Sequence, residues 1–294
     1  MPRQVLHTKA KRHHLIPKSY MRRFSSDGRR IHVFDKLSRN IRQDVPHNVA
    51  VESEFNTLIT RDGSKERWPE ARLAQIDDAA AECFNKLEHG EPLTREERWY
   101  VSFFTGFAET RGTGFRKLLQ QRWSKGFMSE SGLMDERFAE ALCAVTGVWL
   151  EPSTIEQIVR EDTANIASGI EDIGGMVEAA FELAPQIFWM HWVVAVAPDG
   201  SSFVTSDRPL GLLQPRRGLA SNPFDTSAIK VLPLSPTTAL FIGTLTMEPS
   251  IERQPVVKDL VRLVNVALGR RCDRYLIGSS DAVIRSAVSD AKLD

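Results

Sequence analysis

The sequence predicts an α+β fold in which a helical middle packs on a mixed or antiparallel sheet built from strands of both chain ends. Three observations predict it. Residues 30–45 alternate apolar and polar with a period of two, residues 68–183 switch to a helical period, and alternation returns after residue 185. Nothing in composition or punctuation divides the 294 residues, so a single domain is expected, with a basic segment and hairpin over 1–62, a helical region over 63–184, and a sheet with further helices over 185–294.

The elements follow from local pattern. Ile31-His32-Val33-Phe34-Asp35 and Ile41-Arg42-Gln43-Asp44-Val45 flank the turn signal Ser38-Arg39-Asn40 and read as a hairpin. Val49 to Leu58 is ambiguous, and Arg61-Asp62-Gly63-Ser64 punctuates it. Leu73, Ile76, Ala80, Cys83, Phe84 and Leu87 share a helix face that His89-Gly90 and Pro92 bring to a close. Thr94 and Glu97 have capping-box spacing, opening a second helix through Val101, Phe104 and Phe107. Leu133 to Val145 predicts a third helix. A fourth starts at Ser153-x-x-Glu156 and carries Ile166, Ile173, Met176, Val177, Ala180 and Phe181 as its buried stripe, ending before Pro185 because proline lacks the N–H that a helix interior uses. Strands are expected at 186–197, 202–206, 228–233, 238–244 and 274–277, with helices over 255–271 and 281–288.

The net charge of zero conceals an asymmetry. Residues 1–30 hold nine cations (Arg3, Lys9, Lys11, Arg12, Lys18, Arg22, Arg23, Arg29, Arg30) against Asp27, leaving 29 cations and 37 acids elsewhere. Such a split steers an anionic ligand toward one end, or docks the N-terminus on the protein's own acidic body. Cys83, Cys143 and Cys272 are far apart with no CxxC spacing, which excludes a zinc knuckle or disulfide framework and predicts the reducing cytoplasm. The longest apolar run, Ile187 to Ala197, contains His191 and is too short to span a bilayer, so no membrane partner is expected. The absence of a Walker loop, Gly-x-Gly-x-x-Gly, His-Glu-x-x-His and Gly-x-Ser-x-Gly removes the usual support for nucleoside triphosphatase, dehydrogenase, zincin and α/β-hydrolase assignments.

Ordered motifs carry a resemblance. Arg12-His13-His14-Leu15-Ile16-Pro17-Lys18-Ser19-Tyr20-Met21-Arg22-Arg23-Phe24 is followed by Asp27-Gly28 and Val33-Phe34-Asp35-Lys36. A helix with Arg111 runs from Phe103 to Phe115-Arg116. Then come Phe203-Val204-Thr205-Ser206-Asp207-Arg208-Pro209, Pro233-Leu234-Ser235-Pro236, and Asn265 through Tyr275. The set resembles a family of bacterial and phage proteins catalogued as domain of unknown function 4238, and it spans nearly the whole chain. The resemblance implies positions rather than an activity. That family often has a single His followed by an aromatic residue where this chain has His14-Leu15.

The candidate chemistry gathers on a few residues. His13 and His14 point to opposite faces of an extended segment, so one faces a ligand and a paired metal ligation is disfavoured. Each imidazole can be a backbone-bonded structural group, an acid/base group, or a phosphate contact. His-His-Leu-Ile-Pro also resembles the first strand of HNH nucleases; Asn48 follows, but no His lies between His47 and His89 to complete that metal site. Arg111, beside Gly112 and Gly114, suits bidentate phosphate or carboxylate binding, with an ion pair to Glu109 or to a residue on a neighbouring helix as its structural alternative. Asp207 either caps a turn or orients an imidazole or binds a metal. His191 is expected on a core face with Trp189 and Val193, Asn265 as a buried amide bonding a loop or reaching the pocket of Asp207, and the tryptophans as core and rim rather than a base-stacking platform.

The expectation is a protein that binds a phosphate-bearing ligand, nucleic acid or nucleotide, with phosphodiester cleavage as the reaction if it turns over. His13, His14, Arg111 and Asp207 would do chemistry, with Lys11, Arg12, Lys18, Tyr20, Arg22, Arg23, Arg116 and Asn265 binding, and Mg²⁺ or Mn²⁺ as the cofactor of a nuclease. The alternatives are a non-catalytic nucleic-acid or protein-binding module and an assembly protein.

Overall fold

The computed structural model describes residues 12–115 and 170–293, apart from 54, 56–57, 60–64, 67, 216–217, 221 and 247. The architecture is α+β. The chain opens with β1 (Arg12–His14) and a short helix α1 (Lys18–Arg22), then the hairpin β2 (Ile31–Asp35) and β3 (Asn40–Asp44), a 3₁₀ turn over Pro46–Asn48, β4 (Val51–Ser53), and the small pair β5 (Leu58–Ile59) and β6 (Lys65–Glu66). Among the described residues three long helices follow: α2 (Trp68–His89), α3 (Arg95–Thr110) and α4 (Ile170–Phe188). The C-terminal part runs β7 (Met190–Val196), β8 (Thr205–Ser206), β9 (Gly211–Gln214), β10 (Gly218–Leu219), β11 (Ile229–Pro233), β12 (Thr238–Leu245), β13 (Ile251–Pro255), α5 (Lys258–Arg271), β14 (Tyr275–Gly278) and α6 (Asp281–Ala291).

The expected sheet shared by both chain ends exists as the four-stranded β3-β2-β14-β8, antiparallel throughout, in which Leu276 pairs with Phe34 on one side and Ser206 on the other. A second, six-stranded sheet, β10-β9-β11-β12-β7-β13, draws only on the C-terminal part, so the strands form two main sheets instead of one. Its single parallel pair, β7 with β13, leaves β13 as an edge strand. Strands β9, β10 and β13 escape the sequence pattern because they are short or, in β13, nearly all exposed, so no buried face imposes a period of two.

The helices form where their apolar spacing and caps say they should. The Thr94 hydroxyl accepts from the Glu97 amide at 3.2 Å while the Glu97 carboxylate accepts from the Thr94 amide at 2.8 Å, closing the expected capping box. Helix α3 crosses α4 closely at Gly106, where an added Cβ would lie 2.9 Å from the Ala180 carbonyl oxygen. Helix α4 passes through Pro185, before which it was expected to stop, and ends at Phe188. Side chains supply the donors its last turn needs: the Trp192 indole donates to the Ile187 carbonyl at 2.9 Å and Arg98 Nε to the Phe188 carbonyl at 2.9 Å. The predicted helix over Leu133 to Val145 and the start of the fourth lie outside the described residues.

Strand β7 turns Met190, Trp192 and Val194 into the core and leaves His191 and Val193 partly exposed with Trp189 41% exposed, the reverse of the expected face. His191 instead meets Ser250 Oγ at 2.7 Å and Glu252 at 3.5 Å at the sheet edge. Three apolar clusters result among the described residues, the smallest of which packs α2, α3 and α4 together through Ile76, Phe103, Phe107 and Phe181. The largest joins α1, α2, α3 and the inner face of the larger sheet through Tyr20, Phe84, Phe104, Trp192 and Leu240; another lies beneath α5 and α6 through Phe34, Leu213, Val264, Leu268 and Ile284.

Candidate functional site

The N-terminal segment folds into a small ribbon before it reaches the helices. β1 pairs antiparallel with β4, placing His13 opposite Glu52 and His14 opposite Val51, and strand alternation sends the two imidazoles to opposite sides. His13 is fully buried; His14 is half-buried at the mouth of a cleft. The chain then turns through Pro17 into α1, whose Tyr20 and Met21 enter the core while Lys18, Ser19 and Arg22 line the same cleft. The facing wall is α2, through Leu73, Ala74, Asp77 and Asp78, and the floor receives Arg111 from the C-terminal end of α3. The cavity is about 260 Å³.

Electrostatics give this cleft its character. Arg111, only 3% exposed, grips Asp77 with both terminal nitrogens, each at 3.0 Å, and lies 5.6 Å from the centre of the Phe104 ring. Among the described residues its Nε is buried without a hydrogen-bond partner, as is Nε2 of His14. Burial, then the Lys18 charge, lower the His14 pKa from 6.5 to about 4, partly offset by a hydrogen bond to the His47 backbone. A bond that favours the protonated ring is one in which the ring donates; with Nε2 buried and unpartnered among the described residues, the donor is assigned to Nδ1 and the neutral imidazole keeps its lone pair on Nε2. The His47 ring packs behind it, centroids 5.9 Å apart. Lys18 and Arg22 enter no ion pair among the described residues, and as i, i+4 neighbours they lie on one side of α1.

A family model, described as a protein of unknown function (DUF4238), matches residues 12–282. The chain belongs to DUF4238. Comparisons with curated proteins and with solved structures each found no match.

The remaining DUF4238 motifs are used to lock the chain together. Tyr20, fully buried, donates from its hydroxyl to the Pro233 carbonyl at 2.6 Å and meets Thr205 Oγ1 at 2.9 Å. Arg23 donates to the Leu234 carbonyl at 2.7 Å and to Asn85 at 2.6 Å, and pairs with Glu88. Asp207 does not line the His14 cleft. Its two oxygens accept the amides of Asp273 at 3.0 Å, Arg274 at 2.7 Å and Tyr275 at 2.9 Å, tying β8 to the turn between α5 and β14. Burial pushes its carboxyl pKa up to about 7; these amides pull the other way and the Asp273 charge adds to the rise. Asn265 accepts from the Val204 amide at 3.0 Å and donates to the Ser202 carbonyl at 2.9 Å, so it too holds a loop. Arg12 reaches the His47 ring and carbonyl, at 3.4 and 3.5 Å, from an exposed position. Lys11 and Arg116 lie outside the described residues.

Of the residues expected at one site, the structure therefore brings together His14, Lys18, Arg22 and Arg111, and it places Asp207, Asn265, Tyr20 and Arg23 in the framework. The backbone of His47, not Asp207, orients the imidazole. Arg111 takes as partner Asp77 on the neighbouring helix α2, one of its two expected structural alternatives, while Glu109, the other, is fully buried and pairs with Arg208 and Arg271. Asp77 and Asp78 were not expected. The available signal was an acid beside the buried stripe of Leu73, Ile76 and Ala80, where a carboxylate must find a cation. Among the described residues no group of three or more His, Cys, Asp or Glu side chains is placed to hold a metal ion, and no helix is long and apolar enough to cross a membrane.

Proposed function

We propose that this DUF4238 protein binds a phosphate-bearing ligand, a nucleotide or a nucleic-acid phosphate, in the His14 cleft, and that phosphodiester cleavage is the reaction His14 serves there. The observation that carries the reading is the convergence on one cavity of the His14 imidazole, Lys18 and Arg22 from the opening segment with Arg111 from the end of α3, where Lys18 and Arg22 enter no ion pair among the described residues and Asp77 holds the Arg111 fork. Ammonium and guanidinium groups in a partly desolvated cleft stabilise the equatorial charge of a phosphoryl centre, and a positioned imidazole exchanges a proton with the attacking or leaving oxygen. An anion seated beside His14 offsets the Lys18 charge and raises the imidazole pKa toward the range in which it transfers protons near neutrality. The reading places the protein in the cytoplasm of a bacterial or phage-infected cell.

The test combines binding with turnover. Labelled DNA and RNA oligonucleotides and free nucleotides are titrated between about 50 and 200 mM salt, then incubated with and without Mg²⁺ or Mn²⁺. The double variant Lys18→Ala/Arg22→Ala is expected to lower affinity at least tenfold and to reduce the salt slope by roughly two, one per phosphate contact removed. His14→Ala is expected to abolish product. Unchanged binding in the double variant overturns the phosphate reading; binding without any His14-dependent product leaves a binding module.

A further inference from the structure

A second cavity, of about 640 Å³, opens where the α2–α3 turn meets the end of α4 and the β7–β13 edge. Its walls are apolar: Leu93, Phe188, Trp189, Val194 and Ile251. Into it faces Arg98, a side chain just 5% exposed. Among the described residues every acceptor of Arg98 is a neutral carbonyl: Phe188 at 2.9 Å, Met190 at 2.6 Å and Ser250 at 3.5 Å, the last at the limit of a hydrogen bond. A guanidinium carries five N–H donors, so two remain unspent. Its carbon sits 3.8 Å from the centre of the Trp192 ring, which covers one face.

A cation removed from water normally takes a carboxylate partner, and burial without one is unfavourable. Arg98 shows that condition: burial alone lowers its pKa to about 10, with no acid acting on it. The acids at the rim, Glu91 and Glu252, do not pair with it; Glu252 is 3.5 Å from His191. The other rim charges, Arg95 and Arg253, are cations. The groove thus joins apolar walls to a buried positive charge that has no counter-ion among the described residues.

We propose that this groove binds an apolar monocarboxylate, with its carboxylate on Arg98 and its hydrocarbon tail against Leu93, Phe188, Val194 and Ile251. The N-terminal turn of α3, which begins at Arg95 beside the groove, adds a favourable dipole for the same charge. This site is separate from the His14 cleft, and neither reading depends on the other.

Calorimetric titration of the full chain with octanoate, octanol and octylamine tests it. Octanoate is expected to bind at least tenfold tighter than octanol, since a hydrogen bond to a charged group accounts for that difference, and octylamine not at all. Arg98→Met is expected to equalise octanoate and octanol. Because that change also removes bonds that join α3 to β7, a second variant, Leu93→Trp, fills the groove from its rim and leaves Arg98 intact. It is expected to abolish octanoate binding with an unchanged circular-dichroism spectrum. Equal affinity for octanoate and octanol, octanoate binding that survives Leu93→Trp, or no octanoate binding at millimolar concentration overturns the proposal.

Discussion

Replacing Asp207 with alanine removes the acceptor for three backbone amides, those of Asp273, Arg274 and Tyr275, at a position 2% exposed. Each buried N–H left without a partner costs about 1–3 kcal/mol, and partial relaxation with water entry brings the sum to roughly 3–5 kcal/mol. The neighbouring Arg274 forks onto Asp35 at 3.0 and 2.8 Å, so the damage is expected to spread into the β2–β14 pair. Urea unfolding followed by tryptophan fluorescence and circular dichroism measures it: the midpoint falls while the slope is unchanged. Asp207→Asn keeps one acceptor oxygen but turns an amide N–H toward others, so it is expected to lose more than half as much. A loss below about 1 kcal/mol in both variants would refute the view that Asp207 is a backbone anchor. So would a folded, undiminished Asp207→Ala protein that has lost His14-dependent turnover, since that result would return Asp207 to the reaction.

Three further outcomes follow from the same geometry. His14 binds its proton less readily in the fold than in the unfolded chain, about 4 against 6.5, so its contribution to stability is present above 6.5 and is lost as pH falls through 4; His14→Gln is expected to flatten that part of a stability–pH curve. Lys230, fully buried with its Nζ 3.0 Å from the Asp225 carbonyl, has a pKa lowered by burial to about 8, so stability rises with pH between 8 and 10.5, and Lys230→Met is expected to remove that rise in pH-dependent thermal unfolding. Gly106→Ala drives a Cβ into the Ala180 carbonyl and is expected to destabilise by about 1–3 kcal/mol in urea titration, because the obstacle is backbone of α4 and must move with it.

Periodicity made most of the architecture legible. The β2–β3 hairpin, the α2 face of Leu73, Ala80 and Leu87, the Thr94–Glu97 box and the β11–β12 pair each announce themselves within a few residues, since burial of one face forces a repeat of two or of 3.6. Prediction failed where another part of the molecule supplied what the local segment lacked. Helix α4 continues through Pro185 because Trp192 and Arg98 satisfy its last carbonyls, and β13 is held by its partner β7 alone.

For the candidate site, sequence by itself determined the residue types: a basic opening with His14, Lys18 and Arg22, and an arginine at a helix end followed by Gly112 and Gly114. Only the tertiary structure decided that these meet, that Asp77 occupies the Arg111 fork, and that Asp207, Asn265, Tyr20 and Arg23 spend their polar atoms on backbone and neighbouring side chains. The reason is that hydrogen-bond satisfaction is a property of the folded interior. A side chain's chemistry is written in its residue type, but whether it faces a ligand or an orphaned peptide group depends on partners dozens to hundreds of residues away.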